Sequence, residues 1–238
     1  MSPTDWLTID FIQNAYSNAV TLNQPAGIPQ YPAVQPIQST LELFRIPIFL
    51  ASMRLITYFK QIPQFQRLHK DTQLHLVKFN TLPIVFLHSI SIYDPQAEVY
   101  HEPNTTDPVF LEADWSRTIN AEFHSQMISI HAELARIVES DDRIVKIVFL
   151  IVLFSDALTS RSSAVDINAV EIFHIQSLYN ELLFKYCVHI HGTLKSSKLF
   201  VSLLSQIMKI QNLINEIRDN IHACMNVTLL PELMQSII

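Results

Sequence analysis

The sequence is poor in glycine, with only Gly27 and Gly192 in 238 residues. Phosphate-binding loops and dinucleotide-binding turns need several closely spaced glycines, because their backbone must turn tightly and approach the phosphate closely. A G-x-S-x-G nucleophile turn is absent as well. The sequence therefore argues against nucleotide-binding enzymes, α/β-hydrolases and parallel α/β folds.

Positive charge is also in short supply. The 16 Lys and Arg residues face 22 Asp and Glu residues, which gives a net charge of −6. Such a chain has no overall attraction to phosphate backbones, so we expect no direct contact with nucleic acid. Charged residues make up only 16% of the chain and hydrophobic residues 49%. This excess predicts a large core together with an internal cavity or an apolar surface for a partner.

Neither the two cysteines nor the ten histidines show the spacing of a metal site. Cys187 and Cys224 form no C-x-x-C pair, so we expect two reduced thiols on or near the core. The H-x-H pair at His189 and His191 has no acidic residue near it in sequence. No spacing joins Ser, His and Asp residues as a triad. We expect neither a metal, nor a cofactor, nor an enzyme.

A long hydrophobic run is missing too. The longest nearly apolar stretch, Ile144 to Phe154, contains Lys146. It is shorter than the roughly 20 residues that a membrane span requires, so it predicts a buried helix and no membrane contact. Residues 1–6 lack the basic region and apolar run of a secretory signal, and none is expected.

What the sequence does contain is apolar residues at helical spacing along most of its length. The pattern predicts helices at about 4–23, 39–61 with a break at Pro47, 70–91 with a kink at Pro83, 116–138, 141–154, 165–191, 195–225 and 231–238. Residues 24–38 form a proline-rich loop, and residues 93–115 predict loop with at most a small strand pair. The chain is therefore predicted to be one all-α domain, 1–238, with its helices in layers.

Three segments carry more specific patterns. Residues 59–78 place Lys60, Pro63, Phe65, Leu68, Gln73, Leu76 and Lys78 at defined intervals, residues 151–156 read Ile-Val-Leu-Phe-Ser-Asp, and residues 231–238 form a short amphipathic helix. In this order they resemble the ligand-binding domain of nuclear receptors, with F-x-K-x-(I/L)-P-x-F-x-x-L and D-Q-x-x-L-L-K, then I-V-L-F-(S/N)-P-D, then a terminal activation helix. Thr72 stands in place of the usual aspartate, and Ser236 in place of the usual glutamate.

The resemblance implies a three-layer antiparallel helical sandwich and a surface groove for coregulator helices of the L-x-x-L-L type. A lysine at the groove edge would satisfy the unpaired carbonyls at the end of such a helix. The residues implied for the groove are Lys60, Lys78, Ile56, Val77, Leu233, Met234, Ile237 and Ile238. Because Ser236 offers no charge to the other end of the peptide, we expect weak coactivator binding.

The resemblance also implies an internal pocket for a lipophilic ligand. The candidate lining residues are Met53, Ile56, Leu87, His88, His124, Met127, Ile221, His222 and Met225. The predicted 195–225 helix is a candidate homo- or heterodimer contact, supported by Leu203, Leu204, Ile207, Ile210 and Leu213.

Two functions follow as alternatives. The first is a transcription-regulating receptor module, in the nucleus and also the cytoplasm, that binds a lipophilic ligand or none and presents a groove to coregulators. The second is a ligand-independent adaptor or repressor that uses the same fold for protein contacts alone, without a DNA-binding domain. A pocket of roughly several hundred Å³ favours the receptor, and a pocket filled by side chains favours the adaptor.

Overall fold

The computed structural model describes residues 1–24, 32–118, 121–139, 141–155 and 169–238. Within these ranges the chain is mostly helical, which confirms the all-α class. The helices are α1 (Pro3–Leu22), α2 (Thr40–Arg45), α3 (Pro47–Phe59), α4 (Pro63–Arg67), α5 (Lys70–Ser91), α6 (Glu112–Thr118), α7 (Ala121–Val138), α8 (Asp142–Leu153), α9 (Ala169–His191), α10 (Thr193–Cys224) and α11 (Glu232–Ile237).

Local chemistry sets several of these boundaries. Ser2 and Asp5 form a capping box, in which each side chain accepts a hydrogen bond from the other's backbone N–H. Pro47 begins α3, as the sequence predicts, because its missing N–H costs nothing in the first turn. Gly192 joins α9 to α10 with a φ of +75°, a conformation that residues with a Cβ rarely adopt.

Two sequence predictions about the middle of the chain need correction. The predicted 116–138 helix begins too late, because α6 already starts at Glu112, while residues 116–118 and 121–138 are helical as predicted and residues 119–120 lie outside the described ranges. The predicted strand pair is a three-stranded antiparallel sheet of β1 (Tyr93–Asp94), β2 (Val99–Tyr100) and β3 (Phe110–Leu111). Residues 25–31 of the proline-rich loop and 165–168 of the predicted 165–191 helix lie outside the described residues.

The core is centred on α5 and α8. Every residue of α8 from Ile144 to Leu153 is buried, which confirms the buried helix predicted from the apolar run. This helix packs against α1, α5 and α9, while α5 also packs against α3, α10 and α11. Among the described residues, no helix is both long and apolar enough to cross a membrane. In its central position, α5 contacts both α3 and α11.

Candidate functional site

The terminal helix α11 lies against α5. Its Met234 and Ile237 side chains are fully buried in the core, while Leu233 and Ile238 are half-buried. The Gln235 side-chain amide donates to the Leu230 carbonyl at 2.7 Å, which ties the helix to the turn that precedes it. Two of the four apolar residues predicted for the groove wall therefore anchor the helix, and the other two remain accessible beside α5.

The two predicted groove lysines are both exposed. Lys60 follows the last turn of α3, and Lys78 lies on α5 next to the half-buried Val77. Leu74, one turn before Lys78, is 68% exposed although it is a large apolar residue. On α3, Ile56 lies one turn before Lys60 and is half-buried. Each helix thus places an apolar residue beside a lysine.

A set of amide hydrogen bonds joins the end of α3 to the start of α5. The Gln66 amide of α4 donates to the Lys60 carbonyl at 2.7 Å. The Gln73 amide of α5 donates to the carbonyls of Phe65 and Leu68, each at 2.9 Å. These bonds fix α4 between the two helices. We call the accessible face of α3, α5 and α11 that carries Ile56, Lys60, Leu74, Val77, Lys78 and Leu233 the helix-docking surface.

Arg218 of α10 reaches under this surface. Its Nη2 donates to the carbonyls of Lys78 and Phe79 on α5, at 3.3 and 3.0 Å, and to that of Ile237 on α11, at 3.1 Å. Burial lowers the pKa of Arg218 to about 10, so the guanidinium remains charged near neutral pH. The Arg218 side chain therefore contacts both α5 and α11, two of the helices that carry the helix-docking surface.

The residues predicted for a ligand pocket are spread over several environments. Met53 is 36% exposed and shares the outward face of α3 with Ile56 and Lys60, so it lies on the surface side of that helix. The buried members are Leu87, His88, Met127 and Ile221, and the half-buried members are Ile56, His124 and Met225. The His222 side chain lies outside the described residues. His124 lies 3.5 Å from a Glu112 oxygen, beside α6.

His88 belongs to a buried ionic cluster that the sequence did not reveal. Arg54 of α3 donates to Asp107 at 2.8 Å, and its other Nη lies 3.8 Å from Glu102. Glu102 also bonds His88 of α5 at 2.8 Å and accepts a hydrogen bond from the Tyr16 hydroxyl at 3.1 Å. All five side chains are buried. The cluster therefore ties α1, α3 and α5 to the loop that follows β2.

A sixth side chain, Lys146 of α8, faces the same cluster with its ammonium group. It lies 4.2 Å from the centre of the Tyr16 ring and 3.5 Å from Asp142. Burial lowers the pKa of Lys146. For Glu102, burial alone raises the pKa, but the adjacent His88, and then Arg54 and Lys146, together lower it to about 2. Glu102 is therefore held as a carboxylate in the interior.

A small cavity lies beside this cluster, between α3, the end of α5 and the strands. Its volume is about 30 Å³. Three buried side-chain atoms among its lining residues, Arg54 Nε, His88 Nδ1 and Trp115 Nε1, make no hydrogen bond within the protein. A volume of this size has room for about two water molecules, and those atoms supply the polar partners that water needs. This cavity therefore suits small hydrogen-bonding molecules such as water and not a lipophilic ligand of ordinary size.

The predicted dimer helix α10 turns most of the proposed contact residues inward. Leu203, Ile207, Ile210 and Leu213 are buried in the core, so of the five only Leu204 is exposed. The exposed apolar face of α10 consists of Leu194, Val201, Leu204 and Met208. Three of these residues recur at intervals of seven, which is the spacing of a helix-pairing stripe.

In the described residues, the cysteines and histidines do not come together in a metal site. Cys187 is buried in α9, and burial raises the pKa of its thiol to about 11, as expected for an inert core cysteine. His189 contacts the Trp6 ring at 5.4 Å and is exposed. No group of three or more His, Cys, Asp or Glu side chains suited to a metal ion is found in the described ranges.

Comparison with models of known protein families and with curated proteins finds no match to this chain. Sequence reasoning named Lys60 and Lys78, which are both exposed, and did not name Leu74, Arg218 or the ionic cluster. One signal was present for the cluster, since Arg54 is the only charged residue in the mostly apolar helix α3.

Two buried groups, Glu102 of the ionic cluster and His131 of α7, predict a loss of stability in acid. The pKa of Glu102 is about 2 against an ordinary 4.5, so its contribution is complete above pH 4.5 and disappears as the pH falls through 2. The pKa of His131, lowered by burial, is about 4 against 6.5, so its contribution is complete above pH 6.5 and disappears as the pH falls through 4. Both groups make the free energy of unfolding decrease as the pH falls from 6.5 towards 2.

Urea titrations at a series of pH values measure this dependence. For Glu102 alone, the shift corresponds to about 3 kcal/mol between pH 4.5 and 2. We expect the Glu102→Gln variant to have a flatter curve over that interval. Glu122→Gln, at an exposed position of α7, serves as the control and should follow the wild type. Equal slopes for wild type and Glu102→Gln would show that Glu102 is not held charged in the fold.

Proposed function

We propose that this chain is a transcription-regulating module of the nuclear-receptor ligand-binding kind, which binds an amphipathic coregulator helix on the helix-docking surface. The observation that carries the proposal is the packing of α11 against α5, the helix on which Leu74 and Lys78 are exposed. The family's three-layer sandwich and a nuclear location are part of the same proposal.

The chemistry of the surface suits an L-x-x-L-L helix. Leucines of the peptide would pack on Ile56, Leu74 and Val77, whose apolar area faces water in the free protein. The last carbonyls of a helix have no partner within it and form the negative end of its dipole. An ammonium at Lys60 or Lys78 would donate to those carbonyls. Ser236 has no charge that could attract the opposite, N-terminal end of the peptide helix, so the complex is expected to be weak.

The cavity beside His88 is too small for a lipophilic ligand, so it gives no support to the ligand-regulated form of this function. A lipophilic ligand needs a pocket of roughly 300–1,000 Å³, whereas this cavity measures about 30 Å³ and contains charged side chains. The ligand-regulated form remains the other candidate within the same proposal. Homo- or heterodimerisation through α10 stays a prediction, and the exposed face at Leu194, Val201 and Met208 supports it.

The first test is the variant Lys60→Ala. We expect it to weaken binding of an L-x-x-L-L peptide by about 1 kcal/mol, or roughly fivefold, through loss of the donor to the helix end. Fluorescence anisotropy with a labelled peptide measures the dissociation constant. Lys198→Ala, at an exposed position of α10, is the matched control and should bind as the wild type does.

The same titration separates the two forms of the proposal. It is carried out on protein whose native mass spectrum shows only the mass of the chain, with no co-purified ligand. Peptide binding by that protein supports the ligand-independent form, and binding that requires a co-purified lipid supports the ligand-regulated form. If Lys60→Ala binds as tightly as wild type, Lys60 is removed from the site. If wild-type protein binds no peptide in either state, the proposed function is wrong.

A further inference from the structure

Pro83 leaves one backbone carbonyl of α5 without its helical partner. In an α-helix the N–H of each residue donates to the carbonyl four residues earlier, and proline has no N–H. Pro83 lies inside α5, which continues through it to Ser91. The Phe79 carbonyl therefore lacks the hydrogen bond that residue 83 would otherwise donate. A buried carbonyl in this condition requires another donor.

Arg218 supplies that donor from a different helix. Its Nη2 lies 3.0 Å from the Phe79 carbonyl oxygen and 3.3 Å from that of Lys78. The charged guanidinium makes a stronger hydrogen bond to a carbonyl than a neutral donor does. Because α10 packs against α5 along this stretch, the side chain reaches α5 from the neighbouring helix.

The same nitrogen also reaches the terminal helix. Arg218 Nη2 donates to the Ile237 carbonyl at 3.1 Å, in the last turn of α11. The final carbonyls of a helix have no partner within the helix, and a positive charge there also complements the helix dipole. Ile237 itself is buried. One guanidinium therefore bridges the proline-induced gap in α5 and the free end of α11.

We propose that Arg218 is the positioning residue that holds α11 on α5, so that the helix-docking surface is complete without a ligand. In this arrangement the Arg218 guanidinium, which is charged near neutral pH, donates both to the Phe79 carbonyl that Pro83 leaves free on α5 and to the last turn of α11. The consequence for peptide binding rests on the proposed function, whereas the docking of α11 does not. A terminal helix held in this way gives constitutive binding of the coregulator helix.

The test measures backbone hydrogen exchange in residues 232–238 together with peptide affinity. Arg218→Met keeps the aliphatic part of the side chain and removes its donors. We expect exchange in this segment to become about tenfold faster, the factor that corresponds to about 1.4 kcal/mol, and peptide affinity to fall by a similar factor. Arg218→Lys should give an intermediate exchange rate, because it keeps a charged donor whose nitrogen lies one bond closer to the backbone of α10 than Arg218 Nη2 does. Arg136→Met, an exposed arginine on α7, is the control and should leave both measurements unchanged.

A second variant separates positioning from general stability. Pro83→Ala restores an N–H for the Phe79 carbonyl, so Arg218→Met should lower the melting temperature less in that background than in the wild type. Exchange at 232–238 should nevertheless remain fast in the double variant, because the Ile237 carbonyl still lacks its donor. Slow exchange in the double variant would mean that Arg218 only stabilises α5 and would overturn the proposal.

The two proposals fail in different ways. Unchanged exchange at 232–238 in Arg218→Met would overturn the positioning role, whatever the peptide does. Faster exchange in Arg218→Met, together with a wild type that binds no peptide, would support the positioning role and reject the proposed function. Faster exchange with unchanged peptide affinity would show that a held α11 is not needed for binding, and would overturn the claim that Arg218 completes the docking surface.

Discussion

Replacing Arg54 with methionine is expected to lower the free energy of unfolding by about 3–5 kcal/mol, because removal of one partner leaves buried charges unpaired. Arg54 is buried and bonds Asp107 at 2.8 Å, with Glu102 3.8 Å away. Burial lowers the pKa of Arg54, but Asp107 and Glu102 raise it above the ordinary value, which shows how closely the charges depend on each other. Without the guanidinium, Asp107 loses its ionic partner in the interior.

Urea denaturation of wild type and variants measures this loss. Arg136→Met, the control, makes the same substitution at an exposed arginine that pairs with Glu133, and it should leave the urea midpoint unchanged. Asp107→Asn in the Arg54→Met background should recover part of the stability, since it removes the unpaired charge. An Arg54→Met variant as stable as the wild type would show that the cluster does not stabilise the fold.

Deleting residues 231–238 is expected to abolish binding of an L-x-x-L-L helix while the remaining helices stay folded. The deletion removes Leu233 from the docking surface and takes Met234 and Ile237 away from α5. The central helix α8 keeps its contacts with α1, α5 and α9, so the rest of the core is expected to stay folded, with a lower free energy of unfolding because the buried Met234 and Ile237 are lost. Circular dichroism checks the fold, and peptide anisotropy checks binding.

The variant Ser236→Glu should act in the opposite direction on the same helix. Ser236 is exposed and its hydroxyl donates to the Leu233 carbonyl at 2.6 Å. A carboxylate at this position would attract the N-terminal amides of the bound helix, with an expected gain of about 1 kcal/mol, or roughly fivefold in affinity. Ser205→Glu adds the same charge to an exposed position of α10 and should change nothing. Unchanged affinity in both the truncation and Ser236→Glu would exclude α11 from the binding surface.

The placement of the candidate site shows how far sequence reasoning reached. The motif around Lys60 and Lys78 located two exposed lysines on α3 and α5, and residues 231–238 formed the predicted terminal helix. Met53 was predicted for an interior pocket but lies on the outward face of α3. A motif gives the positions of residues along a helix, whereas the side of the helix that meets the core depends on every neighbouring element.

The sequence by itself determined the helices and several of their limits, because those depend on interactions between residues close in the chain. Pro47 begins a helix since its ring fits the first turn and its missing N–H is not needed there. The apolar residues from Ile144 to Leu153 could only be buried, and they form α8. Such local rules also separate helical segments from the proline-rich stretches.

Only the tertiary structure decided which distant groups meet. Glu102 and Asp107 lie in a loop without periodicity, yet they meet Arg54 across about fifty residues of chain. Arg218 finds the Phe79 carbonyl only because α10 packs beside the part of α5 that Pro83 interrupts. Leu203 and its buried neighbours face inward for the same reason, since packing partners and not spacing choose which of two apolar faces is covered.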